Sequence, residues 1–120
     1  MEKYSATVTE IGPYVSEFVD HNILVFFGAE APEELKEFAI LHDGTELHAK
    51  LVVGDVLELN DFSYKILAVG EVANNNLENL GHLVVKFNGE TEAEMPGDVC
   101  VEAKELPEIK AGLKLNISGN

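Results

Sequence analysis

The sequence predicts a mainly β fold: a small single-domain barrel, or sandwich-like barrel, with one or two short helices. Three observations carry this reading. Short apolar or alternating segments recur along the chain, separated roughly every 8–12 residues by Gly, Asn, Asp or Pro. Asp43-Gly44 sits between two such segments and is a strong signal for a tight hairpin, because it supplies positive φ at both central turn positions. Helical patterns are few and short. The chain has 120 residues, no internal repeat and no linker-like stretch, so residues 1–120 are expected to form one domain.

Tyr4, Ala6 and Val8 alternate with Ser5, Thr7 and Thr9, the pattern of a half-buried strand. Gly12-Pro13 ends it, and Tyr14 to Asp20 has helical spacing. Ile23 to Phe27 is continuously apolar, as in a strand covered on both faces. Pro32, Glu33 and Glu34 suit the first turn of a helix, where a missing N–H is harmless and carboxylates meet the helix dipole. Phe38 to His42 reads as a strand, Asp43-Gly44 as its turn and Leu47 to Val53 as the returning strand. Val56–Leu59 and Phe62–Val69 are two further strands, joined by an Asn60-Asp61 turn.

Val72 to Leu80 predicts a short helix, with one of Asn74, Asn75 and Asn76 as its N-cap and Gly81 as its stop. His82 to Phe87, Asp98 to Val101 and Leu113 to Ile117 complete the strands, and the tail from Ser118 to Asn120 is expected to fray.

Net charge is −14, and all eight basic residues are lysine. Nucleic acid and anionic membrane surfaces are therefore poor partners, since phosphate binding needs clustered Lys and Arg. A bound phosphoryl group would have to be held by Lys, His, backbone N–H groups or a metal rather than by a guanidinium fork. The N-terminal segment lacks a signal-peptide pattern, and no apolar run approaches the roughly 20 residues of a membrane helix, so a cytoplasmic location is expected. The single cysteine, Cys100, reads as a small core residue.

No Walker loop, dinucleotide fingerprint, C-x-x-C, H-E-x-x-H or G-x-S-x-G motif is present. Chemistry then falls to the four histidines, His21, His42, His48 and His82, because a neutral imidazole is a competent nucleophile near pH 7. His21 follows Asp20 in a turn and reads as an exposed loop residue. His42 ends an apolar strand at a tight turn, where the sheet can fix the side chain while the ring faces solvent. The bland reading, a polar residue marking the strand's exit, competes with it. His48 could join His42 in a metal site with Asp43 or Glu46, but strand alternation across a two- or four-residue loop puts the two rings on opposite faces. His82 follows the Gly81 stop and reads either as a half-buried cap or as a second imidazole supporting His42.

One ordered set of residues carries a resemblance. It comprises Phe38-Ala39-Ile40-Leu41-His42, Glu46-Leu47, Ala68-Val69-Gly70, Val72-Ala73, Asn76-Leu77, Leu80-Gly81-His82, Phe87-Asn88-Gly89, Glu92-Ala93-Glu94 and Pro96-Gly97. The set is densest between Ala68 and Gly97. With these residues the chain resembles the glucitol/sorbitol-specific IIA component of the bacterial phosphoenolpyruvate-dependent sugar phosphotransferase system.

The resemblance implies a cytoplasmic phosphocarrier with no cofactor. Its histidine takes a phosphoryl group from phospho-HPr and passes it to the IIB domain of a sugar transporter. His42 matches the phosphorylated histidine, and His82 is the candidate supporting residue. Some relatives carry another histidine where this chain has Gly44. Backbone N–H groups near Gly44, Thr45 and Gly81 are expected to hold the phosphoryl oxygens. Exposed strand edges would permit a homodimer. The competing functional reading is a non-catalytic acidic β-domain that docks on a transporter or regulator.

Overall fold

Eight strands close into a barrel in a computed structural model that describes residues 1–120. In chain order the elements are β1 (Glu2–Ile11), α1 (Val15–Val19), β2 (Ile23–Gly28), α2 (Glu33–Lys36), β3 (Ile40–His42), β4 (Val56–Leu59), β5 (Phe62–Val69), α3 (Ala73–Leu80), β6 (Leu83–Lys86), β7 (Asp98–Val101) and β8 (Lys114–Ser118). Around the barrel the order is β1-β3-β2-β6-β7-β5-β4-β8. The pairs β2–β3 and β6–β7 are parallel, and the other pairs are antiparallel. The expected mainly β barrel is found, with three short helices.

Alternation builds the core. Tyr4, Ala6 and Val8 of β1 point inward, as do Leu57 and Leu59 of β4, Tyr64, Ile66 and Ala68 of β5, and Leu115 and Ile117 of β8. Helix α3 contributes Ala73 and Leu77 to the same cluster, beside Leu51. A second, smaller cluster of Phe27, Ala31, Ala39 and Leu41 packs on the outer side of β2 and β3. Fully burying a Leu- or Phe-sized side chain is worth about 1.5–3 kcal/mol, so these two clusters supply the main driving force for closure.

Several local expectations give way to longer-range contacts. Asp43-Gly44 forms no hairpin: β3 pairs with β1 and β2, and the next strand begins only at Val56. Asp43 instead bonds to β1, its Oδ1 accepting the Thr7 N–H at 2.7 Å and its own N–H donating to the Thr7 carbonyl. Leu47 to Val53 is irregular rather than a strand, with Val52 and Val53 exposed. This segment is anchored by scattered hydrogen bonds and not by a strand ladder. The His48 N–H donates to Lys3 O, and Lys3 Nζ donates to Lys50 O. The Asn74 side chain pairs with both backbone groups of Leu51.

Asn74 is thus used for docking, and the N-cap of α3 is Val72, which makes no side-chain cap bond. The chain's end is also tied down through Gly119, whose N–H donates to Met1 O.

Candidate functional site

β3 is only three residues long, and its last residue, His42, lies between two backbone segments that converge on its ring. Its Nε2 is 2.7 Å from Gly81 O, and the Gly44 N–H donates to its Nδ1 at 3.0 Å. A carbonyl oxygen can only accept, so Nε2 carries the proton, and Nδ1 holds the lone pair that receives the Gly44 N–H. The imidazole is fixed as one neutral tautomer. Burial is the strongest influence on its titration and lowers its pKa below the ordinary histidine value, while Gly81 O and the Asp43 carboxylate pull it back up.

The ring is fully buried, which corrects the expectation that it faces solvent. Gly81, Gly44 and two aromatic rings cover it. Tyr4 meets it edge-on at a centroid distance of 5.8 Å, and Phe26 lies tilted at 6.3 Å. His42 nonetheless forms part of the wall of a pocket of about 320 Å³, shared with Tyr4, Gly44, Thr45, Leu80 and Gly81. Glu30, Asp43 and Glu78 also line it, and no lysine does.

Gly81 reaches His42 because it ends α3. It adopts φ +64, and its N–H turns back to Leu77 O at 3.0 Å. That termination commits the N–H to the helix and leaves the carbonyl free to meet the imidazole. Gly81 therefore offers His42 an acceptor, where sequence reasoning looked for an N–H donor. Gly44 does present its N–H at the ring, as that reasoning anticipated.

His82 is not joined to His42. Its Nδ1 is hydrogen-bonded to Phe26 O at 3.1 Å, and its ring stacks on Phe27 at 4.1 Å. Register explains the separation. Leu83 pairs with Phe26, so His82 shares the outward side of Phe27, whereas His42 pairs with Gly28 and shares the inward side of Phe26. Ring-to-ring support of His42 by His82 is absent from this arrangement, and the contact from the Leu80-Gly81-His82 motif is made by Gly81.

His21 is exposed in the turn after α1. His48 is also exposed, 3.7 Å from Glu46, and takes no part in the His42 contacts. No group of three or more His, Cys, Asp or Glu side chains converges as a metal site. Cys100 is buried within β7. Sequence reasoning missed Tyr4, whose only sequence signal is its inward position on a strand.

The barrel is similar to a phosphotransferase-system component of known structure. The crystal structure of a PTS system IIA component from Enterococcus faecalis V583 matches with a TM-score of 0.79 and 28% identity, over 92% of this chain and 96% of that one. Residues 3–116 match the family described as the PTS system glucitol/sorbitol-specific IIA component. The chain is also 36% identical, over 109 residues, to PTS system glucitol/sorbitol-specific EIIA components of Shigella flexneri and Escherichia coli strain K12. Each match spans 91% of this chain and 89% of the relative. The chain belongs to the glucitol/sorbitol-specific IIA family of the sugar phosphotransferase system. No helix is long and apolar enough to cross a membrane.

Proposed function

We propose that the 120-residue chain is a single cytoplasmic phosphocarrier domain whose His42 takes a phosphoryl group from phospho-HPr. It then delivers that group to the IIB domain of a glucitol/sorbitol transporter. The observation that carries this reading is the pairing of Nε2–H with Gly81 O, which leaves the other ring nitrogen, Nδ1, with its lone pair. Nδ1 attacks the phosphorus as the donor's P–N bond breaks and the donor imidazole keeps the electron pair. His42 passes from neutral imidazole to phosphorylated imidazolium while the donor makes the reverse change, so no proton is transferred. The positive charge grows on Nε2–H, where Gly81 O already accepts its hydrogen bond.

Nδ1 is the better nucleophile on positional grounds. Exposing it requires the Gly44 N–H to swing aside, which breaks one hydrogen bond outside any strand ladder. The displaced N–H can then bond a phosphoryl oxygen. Exposing Nε2 would instead strand the buried Gly81 carbonyl, at about 1–3 kcal/mol. Glu30, Asp43 and Glu78 raise the free energy of a phosphoryl dianion in this pocket, which favours passing it on. The complementary positive charge would come from the docking partners.

The test is incubation with enzyme I, HPr and labelled phosphoenolpyruvate. Acid-labile, base-stable label on the wild type and none on His42→Gln is the expected result. Unlabelled wild type would support the docking-module alternative, and label retained by His42→Gln would assign the chemistry elsewhere.

A further inference from the structure

The Tyr4 hydroxyl is a buried polar group without a hydrogen-bond partner, the one such side-chain atom in the protein. The residue is 1% exposed and is held on β1 opposite Ile117 of β8. Leaving a buried hydroxyl unpaired costs about 1–3 kcal/mol, and phenylalanine would fill the same space without that cost. The hydroxyl is therefore a donor and acceptor with both capacities unused.

The Tyr4 ring meets the His42 ring edge-on. Its oxygen lies 2.7 Å from the point where a side chain on Gly44 would begin, and Gly44 is the residue whose N–H occupies His42 Nδ1. Tyr4, His42 and Gly44 thus line the same pocket.

Resting on the reading of His42 as the phosphoryl acceptor, we propose that Tyr4 is a catalytic residue whose hydroxyl donates a hydrogen bond to an oxygen of the phosphoryl group on His42. The pocket has no cationic side chain, so the donors that this chain itself offers the oxygens are neutral, and Tyr4 and the Gly44 N–H are two of them. Burial and the nearby Asp43 carboxylate push the phenol pKa up to about 12, so at neutral pH it keeps the proton it must donate. No bond is made or broken at Tyr4: the hydroxyl moves from an unpaired state to a paired one as the phosphoryl group arrives.

The test is Tyr4→Phe, read in two ways. Phosphoryl transfer from phospho-HPr to His42 should slow on the order of 100- to 1,000-fold, as when one preorganised oxyanion donor is removed. Resistance to urea should stay level or rise, because the variant loses only an unpaired hydroxyl; a merely structural tyrosine would lose stability instead. In wild type carrying ¹³Cζ-tyrosine, the Tyr4 resonance should shift on phosphorylation, and in His42→Gln it should not. A wild-type transfer rate in Tyr4→Phe, or an unmoved resonance in phosphorylated wild type, overturns the proposal. If the wild type takes no label, or His42→Gln keeps it, the His42 reading itself fails, and that outcome is seen before Tyr4 is tested.

Discussion

Gly81 O stands 2.7 Å from Nε2 of His42, so the stop of α3 and the end of β3 share one hydrogen bond. Two consequences follow from this single contact. It fixes which nitrogen carries the proton, and it makes the conformation of a helix terminus part of the site. An alanine at position 81 would face φ +64 and would bring its Cβ to 2.9 Å from Gly28 N and 3.0 Å from His42 Cε1. Gly81→Ala should therefore cost about 2–4 kcal/mol of stability, from left-handed backbone strain and overpacking together. It should also lower the rate of phosphorylation by displacing the acceptor of Nε2–H. Urea unfolding and the labelling assay on the same preparation check both; unchanged stability would mean that α3 can end another way.

The buried state of His42 gives a pH signature. Its folded pKa lies below the ordinary 6.5, so between the two values the unfolded chain binds more protons than the folded one. Stability from this group is complete above the unfolded value and is lost as pH falls through the folded one. Urea unfolding of wild type and His42→Gln, compared from about pH 5 to pH 7.5, should show a difference that moves in favour of wild type as pH rises and then levels off. A pH-independent difference would mean that the imidazole titrates alike in both states. The same shift predicts that the His42 imidazole stays neutral, as the proposed acceptor must, to lower pH than a free histidine does.

Gly44 is constrained by space. A Cβ there would meet the Tyr4 hydroxyl and ring carbons at 2.7–2.8 Å. Tyr4 is locked in the core and cannot retreat freely. Gly44→Ala is expected to cost about 1–3 kcal/mol and to disturb the Nδ1 contact, visible as an altered His42 ring ¹⁵N shift. Wild-type stability and shifts would show that the Gly44 segment moves aside at little cost.

Much of the barrel was legible because its strands carry their own punctuation. Ile23–Phe27, Val56–Leu59 and Phe62–Val69 are bounded by Gly, Asn or Asp, and Gly81 stops α3 where its sequence position suggested. The failures have one cause, local signals overridden by distant partners. Asp43-Gly44 could have turned a hairpin, but the Asp43 side chain and backbone both bind Thr7. An Asn could have capped α3, but the Asn74 amide bridges to Leu51. The burial of His42 depends on Tyr4, 38 positions earlier, and on Gly81, 39 positions later, and no window around residue 42 contains either.

The acidic surface predicts salt-dependent encounter. With net charge −14, and with Glu30, Asp43 and Glu78 at the pocket, approach of a basic docking face should be fast at low salt. Raising salt from about 50 to 300 mM shortens the screening length and should slow transfer at limiting donor while leaving the rate at saturating donor little changed. Glu30→Gln with Glu78→Gln should weaken that salt dependence. Equal salt dependence in the double variant would place the steering charges elsewhere on the surface.

The segment after Gly44 is held by a buried ion pair, and that pair can be tested for its grip on the site. Lys3 Nζ lies 2.7 Å from Asp55 Oδ2, with both side chains almost wholly buried. Lys3 also donates to Lys50 O, and Asp55 also accepts the Val52 N–H at 2.9 Å, so the pair ties β1 to both ends of Lys50–Asp55. Lys3→Met leaves a buried carboxylate without its cation and should cost about 3–5 kcal/mol. The double variant Lys3→Met with Asp55→Leu removes both charges. It should recover most of that loss, because no buried charge is left without a partner. Urea midpoints of the two single variants and the double variant give the coupling directly. Lys3 is one residue from Tyr4 on β1, so loosening this pair should also broaden the Tyr4 and His42 ring resonances. Sharp, unshifted resonances in Lys3→Met would show that the anchor stabilises the fold without ordering the site.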